Sequence, residues 1–437
     1  MRSRLAVFIT IVQSIIFAGH LFVYVTWAVF WGGAASGTGA KIALGVLSIS
    51  FVSASLLGWY FHNPLVRLYY LAAAFWLGLS SYLLWAAVLC WIAWGFSLIA
   101  RLGWAPAHIA DVLFSVAVLT SLYGVINAAL LRVIRIKVKL PNLPEQWRGR
   151  TAALVTDTHL GHIRNGRFVR RVVRKLTALR PDVVFLAGDV YDGTAADFGK
   201  LAEPWAELIA NLSDSEAAAA ESHRRGAETR RKINSHQGDT EARRTAKVGL
   251  SRGYAESQFS TSDVGLQPGQ NATAVLEGEG FLGVYYILGN HEEFYSHAEF
   301  LPPLESAGVR FLNNEKVDLD GLQLVGVHYR DAIAEERYRQ VLRSIRVDRG
   351  RASILLLHAP VRLTVAEEEG ISLQLSGHTH GGQFFPYTLV ARRVWGKFIH
   401  GLQHLGNLQV LTSYGAGTWG PPMRVGTRPE IVLITFN

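Results

Sequence analysis

The sequence is nearly devoid of cysteine. Cys90 stands alone among 437 residues, so no internal disulfide can form and a cysteine-based zinc site is excluded. It lies inside an apolar run and reads as a small hydrophobe of a helix. Charge is equally sparse before residue 131, where nearly all of the chain's apolar excess lies. The net charge of +9 is not gathered into a basic stripe interleaved with aromatics, which speaks against a nucleic-acid partner.

What is present divides the chain in two. Half of the residues are hydrophobic and mean hydropathy is +0.19, high for one soluble enzyme and a sign that part of the chain lies in lipid. Nearly uncharged runs over about 5–31, 41–61, 68–99 and 109–131 each reach the roughly 20 residues that cross a bilayer. The first is too long, and has no small-residue cleavage site close behind a short apolar core, to be a good signal peptide. Four spans put Arg2, Arg4, Arg67, Arg132, Arg135, Lys137 and Lys139 on one side, against Lys41 and Arg101 on the other. That bias predicts a multi-pass cell-membrane anchor with the remainder of the chain in the cytoplasm, and an odd span count would reverse it. The third run, of about 32 residues, is the least regular candidate. His20 and Asp111 are the ionisable interruptions, and both read as structural.

After the proline-containing linker "KLPNLPEQWRGR", apolar strand-like runs alternate with amphipathic segments such as "GRFVRRVVRKLTAL" and "AEERYRQVLRSI", the pattern of a layered α/β domain. The strand candidates are "TAALVTD", "DVVFLAGD", "GVYYILGN", "LQLVGVH", "SILLLHA", "LQLSGH", "LQVLTSY" and "EIVLITF". Five of them end in metal-capable side chains: Asp157 with His159, Asp189, Asn290 with His291, His358, and His378 with His380. Ligands of open α/β sheets bind at such strand ends. Asp, Asn and neutral imidazole without thiolate suit Mn, Fe, Zn or Co better than an all-oxygen Ca or Mg cage. The donors are too many for one tetrahedral site. Two ions about 3.5–4 Å apart, sharing a carboxylate, would use them and suit displacement at phosphorus.

These ordered motifs, Asp157-x-His159, Gly188-Asp189, Gly289-Asn290-His291-Glu292, His358 and Gly377-His378-x-His380, resemble the signature of calcineurin-like metallophosphoesterases over roughly residues 150–437. The ending "TSYGAGTWGPPMRVGTRPEIVLITF" is similar to the membrane-associated bacterial branch with N-terminal helices. The resemblance implies an αββα sandwich of two sheets between helices, preceded here by the four-helix transmembrane region (1–140, with 141–437 catalytic). It implies two divalent ions, Mn, Fe or Zn, one held by Asp157, His159 and His380 and the other by Asn290, His358 and His378, with Asp189 bridging. It further implies that a hydroxide held by the metals attacks phosphorus, while His291 contacts the phosphate and protonates the leaving oxygen.

Arg424 in "PPMR" and His162 are candidate substrate contacts; Asp192, Glu292, Tyr191 and His328 could meet substrate or support the ligands. A low-complexity insertion separates Asp189 from Gly289. Its composition predicts disorder from about 213 to 280, with His223 and His236 as bystanders. The expected partners are the membrane and a phosphate ester: a monoester, a diester or a lipid-linked phosphate. A non-catalytic metal-binding sensor or scaffold is the alternative. A transporter is disfavoured by the scarcity of ionisable or Gly/Pro-broken membrane segments.

Overall fold

The structure, a computed structural model, describes residues 2–32, 37–214 and 280–437. The core of the insertion, with His223 and His236, lies outside the described residues, as does nearly all of the segment expected to be disordered.

Four helices open the chain: α1 (Arg2–Trp31), α2 (Thr38–Tyr60), α3 (Pro64–Ile99) and α4 (Pro106–Ala129). All four are long and apolar enough to cross a membrane. The third run is a single helix of 36 residues, about 54 Å long at 1.5 Å per residue and well beyond the roughly 30 Å of a hydrocarbon core. Asn63 caps its start by accepting from the Val66 amide at 3.0 Å, with Pro64 at the first helical position. Its first turns lie against the sheet-bearing part of the chain: Arg67 Nε donates to the His162 carbonyl at 3.0 Å.

The remainder is an αββα sandwich. One sheet has the order β1 (Arg132–Val138), β12 (Glu430–Phe436), β2 (Thr151–Val155), β3 (Val183–Ala187), β4 (Val284–Ile287), β5 (Val309–Phe311). The other runs β10 (Gly401–Leu405), β11 (Leu408–Thr412), β9 (Leu373–Ser376), β8 (Ser353–Leu356), β7 (Leu322–Gly326), β6 (Glu315–Leu319). Strands β2 to β5 are mutually parallel, as are β7, β8, β9 and β11. Leu154, Phe185 and Ile287 of the first sheet share a core with Leu324, Leu356 and Leu375 of the second. On β8 the pleat alternates: Ile354 and Leu356 enter that core, whereas Leu355 turns outward against Tyr338, Val341 and Leu342 of the helix Glu335–Ile345. Helix α5 (Gly166–Leu179) makes the crossover from β2 to β3 and buries Phe168, Val172 and Leu176.

All eight strands expected from sequence form. Four others, β1, β5, β6 and β10, were not expected, and each is an edge of its sheet. The segment directly after α4 joins the first sheet: β1 pairs in parallel along all seven residues with β12. The proline-containing stretch after it is also fixed, because Trp147 is fully buried and donates from Nε1 to the Leu319 carbonyl at 2.7 Å.

Candidate metal centre

The carboxyl ends of β2, β3 and β4 meet those of β8 and β9 at one edge of the sandwich, so both sheets supply side chains to one cluster. Asp157 and His159 follow β2, Asp189 follows β3, Asn290 and His291 follow β4, His358 follows β8, and His378 and His380 follow β9. His159 Nε2 stands 3.0 Å from His380 Nε2, which is 3.4 Å from Asp157 Oδ1. On the other side His358 Nε2 lies 3.2 Å from His378 Nδ1. Asp189 Oδ2 reaches both groups, 3.1 Å from His358 Nε2 and 3.8 Å from His159 Nε2. Three-residue sets able to hold a cation follow: Asp157, His159 and His380; His159, Asp189 and His291; and Asp189, His358 and His378.

The backbone is bent to achieve this. Asp157, His159, Asp189, His378 and His380 all have positive φ, between 46° and 68°, a region that non-glycine residues enter at a cost of about 1 kcal/mol each and that clusters at functional sites. Glycines permit close approach at two points. A Cβ on Gly289 would lie 2.1 Å from Asp189 Oδ1, and one on Gly377 would lie 2.1 Å from Asp157 Oδ2.

Burial and the charges gathered within the cluster together set the electrostatics. Burial would raise the Asp189 carboxyl, but the imidazoles of His358, His291 and His159 hold it well below the usual carboxylate range. Burial pushes Asp157 up to about 6, with Asp189 adding to the shift. Burial would lower His358, but Asp189 and Asp157 raise it to about 10. Burial and the neighbouring imidazoles push His378 down to about 4 and hold His159 and His380 well below the ordinary histidine value. Burial thus favours the neutral form of these three imidazoles, the form that ligates metals. Asn290 Oδ1 is buried and without a hydrogen-bond partner, a costly state for an amide oxygen that a cation would relieve. The donor set therefore fits divalent metal ions.

A second tier holds this cluster in place. Glu292 is fully buried, and its carboxylate accepts from the amides of Asp189 (3.0 Å), Gly289 (2.7 Å) and Tyr191 (3.0 Å), tying the loop after β3 to the loop after β4. The glutamate in the Gly-Asn-His-Glu motif, undecided from sequence, thus fixes its neighbours' backbone. Asp192 accepts at its carbonyl from His291 Nδ1 at 2.9 Å.

The two residues expected to touch substrate lie elsewhere. Arg424 is fully buried behind His380; its Nη2 donates to the carbonyls of Tyr414 at 2.7 Å and Gly417 at 2.8 Å and stands 3.1 Å from His380 Nδ1. Carbonyls surround this guanidinium, so it braces an imidazole and does not face the cavity. His162 is buried against α2 and α3: its Nε2 donates to the Gly58 carbonyl at 3.1 Å, and its ring lies 5.2 Å from that of Tyr70. His328 pairs with Glu293 at 3.2 Å, outside the cluster, and Tyr191 is buried.

The cluster floors a cavity of about 600 Å³ lined by Asp189, Asn290, His291, His378 and His380, with Gln383 and Trp419 on its wall. Gln383, whose role the sequence left open, donates from Nε2 to the carbonyls of Trp419 and Pro421 and accepts from the Trp419 amide. It holds the wall.

No family model matches the chain. An uncharacterized metallophosphoesterase of Campylobacter jejuni is 27% identical over 322 residues, 72% of this chain and 66% of the relative. One of Helicobacter pylori is 35% identical over 158 residues, 35% of this chain and 42% of the relative. A transmembrane protein with metallophosphoesterase domain from Danio rerio is 24% identical over 336 residues, 72% of this chain and 60% of the relative. The chain thus spans between 42% and 66% of the length of these relatives. Among solved structures, a dimetal phosphatase from Danio rerio aligns over 66% of this chain and 100% of that chain, at 12% identity and a TM-score of 0.29, too distant to bear on the site. In its ordered strand-end motifs the chain resembles the metallophosphoesterases, and these relatives, named as such, are what it is similar to.

Proposed function

We propose that the chain is a membrane-anchored, metal-dependent phosphoesterase that hydrolyses a phosphate ester in the cavity between its sheets and its helices. The observation that carries this reading is the convergence of side chains from both sheets on Asp189, within 4 Å on either side. Asp157, His159 and His380 would hold one divalent ion, and Asn290, His358 and His378 the second, with Asp189 between them. The donor set favours Mn, Fe or Zn. Such ions, when bound, supply Lewis-acid stabilisation of phosphoryl oxygens and activate water.

The chain's own residues do the rest. His291 Nδ1 faces a carbonyl and must carry a proton there. A second proton on Nε2 makes the imidazolium that can bond a phosphoryl oxygen and pass a proton to the leaving oxygen. Glu292 and Arg424 position loops and rings. Gln383 and Trp419 shape the wall.

Helices α1–α4 would anchor the protein as a multi-pass cell-membrane protein, with the Lys and Arg bias placing the catalytic part, β1 included, in the cytoplasm. A reporter fused after Lys139 that signals only in the cytoplasm tests the sidedness. The activity is tested with the full chain in nanodiscs, loaded with Mn, on bis-p-nitrophenyl phosphate and p-nitrophenyl phosphate. Asp189→Ala and His378→Ala are expected to lose at least about 10²–10³-fold in kcat and to retain less metal by mass spectrometry. Equal hydrolysis by wild type and variants would refute the assignment of ligands. Metal retention without hydrolysis of either ester would favour a non-catalytic sensor or scaffold.

A further inference from the structure

The catalytic cavity does not end at the sheets. Its lining includes Leu77 and Ser81 of α3, and Tyr387 at the start of the helix Tyr387–Trp395. The same three residues line a second cavity of about 670 Å³ bounded by α1, α2 and α3. Ser81 Oγ and Tyr387 Oη are hydrogen-bonded at 2.7 Å, in the wall that both cavities share.

The second cavity is apolar. Ile16, Val23, Leu44, Leu47 and Leu84 supply its walls, and among the described residues that line it there is no Asp, Glu, Lys or Arg. Its one imidazole, His20, is satisfied within the bundle: Nδ1 donates to the Ile16 carbonyl at 2.8 Å, and Nε2 accepts from Trp76 Nε1 at 2.8 Å. Nothing there calls for a polar occupant. From Tyr387 onward, the helix Tyr387–Trp395 leaves Leu389, Val390 and Val394 at least 59% exposed and carries Arg392 and Arg393. That combination suits a membrane–water interface.

We propose that the substrate is a long-chain phosphate ester, its phosphate at the strand-end cluster and its hydrocarbon chain running beside the Ser81–Tyr387 pair into the α1–α3 cavity. This rests on the phosphoesterase reading above. A lipid reaching a wet active site must draw its chain out of hydrocarbon, which weakens binding by about fourfold per methylene. A cavity within the helices that shares Leu77, Ser81 and Tyr387 with the catalytic one removes that cost. It also selects against short esters, which leave it unfilled.

The test uses the full chain in nanodiscs and two chromogenic diesters, hexadecyl p-nitrophenyl phosphate and methyl p-nitrophenyl phosphate. Leu84→Trp and Leu44→Trp fill the second cavity from different walls. Each is expected to lower the hexadecyl-to-methyl ratio of kcat/KM at least tenfold. Leu119→Trp, on the 64% exposed face of α4, is expected to leave the ratio unchanged. An unchanged ratio in both cavity-filling variants overturns the proposal and leaves the phosphoesterase reading standing.

A second readout does not depend on turnover. Hexadecylphosphonate with a terminal diazirine should crosslink wild type on α1–α3 residues that line the cavity, and adducts confined to lipid-facing positions such as Leu119 overturn the proposal. Adducts in the cavity with no hydrolysis of either ester refute the phosphoesterase reading, and the substrate assignment with it. Phosphatidic acid and a polyprenyl phosphate, run in parallel, separate a glycerolipid from an isoprenoid source. Turnover of either above that of the methyl ester supports the proposal, and turnover of neither counts against it.

Discussion

The helices and the sheets bury polar groups in opposite ways. In the helices most hydroxyls bond to a carbonyl one turn back, as Thr26 does to Phe22, Ser55 to Phe51 and Ser121 to Ala117, at 2.8–2.9 Å. The hydroxyl proton of such a residue is spent on its own backbone, although the oxygen can still accept, as that of Thr26 does from Trp91 Nε1 at 2.9 Å. In the sheets, buried polar side chains collect at strand ends and face one another, with like charges and unpaired atoms left in place. The helical polar groups that break the local rule reach outward. Asn127 Nδ2 donates to the carbonyls of Arg424 and Thr427, and Arg67 to that of His162. The lesson is that a polar residue not satisfied within its own helix marks where that helix meets something else.

The comparison breaks most completely where the sheet cluster has no slack. Gly289→Ala would set a Cβ 2.1 Å from Asp189 Oδ1 and 2.5 Å from the Asp189 amide nitrogen, which Glu292 holds fixed. A displacement of about 1 Å in a catalytic group costs roughly 10²-fold in rate. Hydrolysis should fall by at least that factor and bound metal should drop, with secondary structure by circular dichroism unchanged. Next in size is Glu292→Gln. An amide cannot accept three backbone N–H bonds with both of its termini, so one buried donor loses its partner, at about 1–3 kcal/mol. Residues that support metal ligands in this way typically cost 10–100-fold when replaced, and metal titration monitored by activity should show a shift of that order.

The helical side should respond differently. Asn127→Ala strips the Arg424 and Thr427 carbonyls of a buried donor without touching the cluster. A loss of about 2 kcal/mol in stability is expected, read as a lower unfolding midpoint in detergent, with hydrolysis by the surviving folded protein within about threefold of wild type. An equal loss of rate and stability would mean that the interface between α4 and the 424–427 turn tunes the cluster through Arg424.

Legibility in the sequence follows the same division. The eight central strands were readable because both of their faces are covered, which makes them continuous apolar runs. The edge strands were not: β1 and β6 alternate charged and apolar residues, β10 carries His404 and Gln403, and β5 has three residues. Their strand character comes from the partner they pair with. The clustering of metal-capable side chains was legible because five strand ends repeat one chemistry. Arg424 and His162 misled because a guanidinium or an imidazole near a phosphate site is chemically apt for substrate, and sequence does not show which way a side chain turns. What fills the space around each was set by the fold: carbonyls of the 414–417 loop around Arg424, and α2 and α3 around His162. The contacts between helices and sheets left no motif, since small residues at helix surfaces look alike whether they face lipid or protein.

Gly78 and Gly124 supply the smallest and most discriminating test of that last point. Both accept side chains of the 423–425 turn at the surface of the bundle, and by propensity alone alanine at either position would stabilise its helix by about 1 kcal/mol. At Gly124 a Cβ would stand 2.8 Å from Val425 Cγ2 and 3.2 Å from Met423 Cβ, a stiff branched side chain and an atom next to backbone, so neither can yield cheaply. At Gly78 the shortest contacts are 2.3 Å to Met423 Cε and 2.8 Å to its Sδ, with Pro421 Cβ at 3.0 Å; the thioether end is unbranched and can swing. Gly124→Ala should therefore lower the unfolding midpoint by the equivalent of about 1–2 kcal/mol, the cost of overpacking, while Gly78→Ala should stay within about 0.5 kcal/mol of wild type. If the order were reversed, Met423 would be the rigid element of the contact and the turn bearing Arg424 would be held to α3 more firmly than to α4.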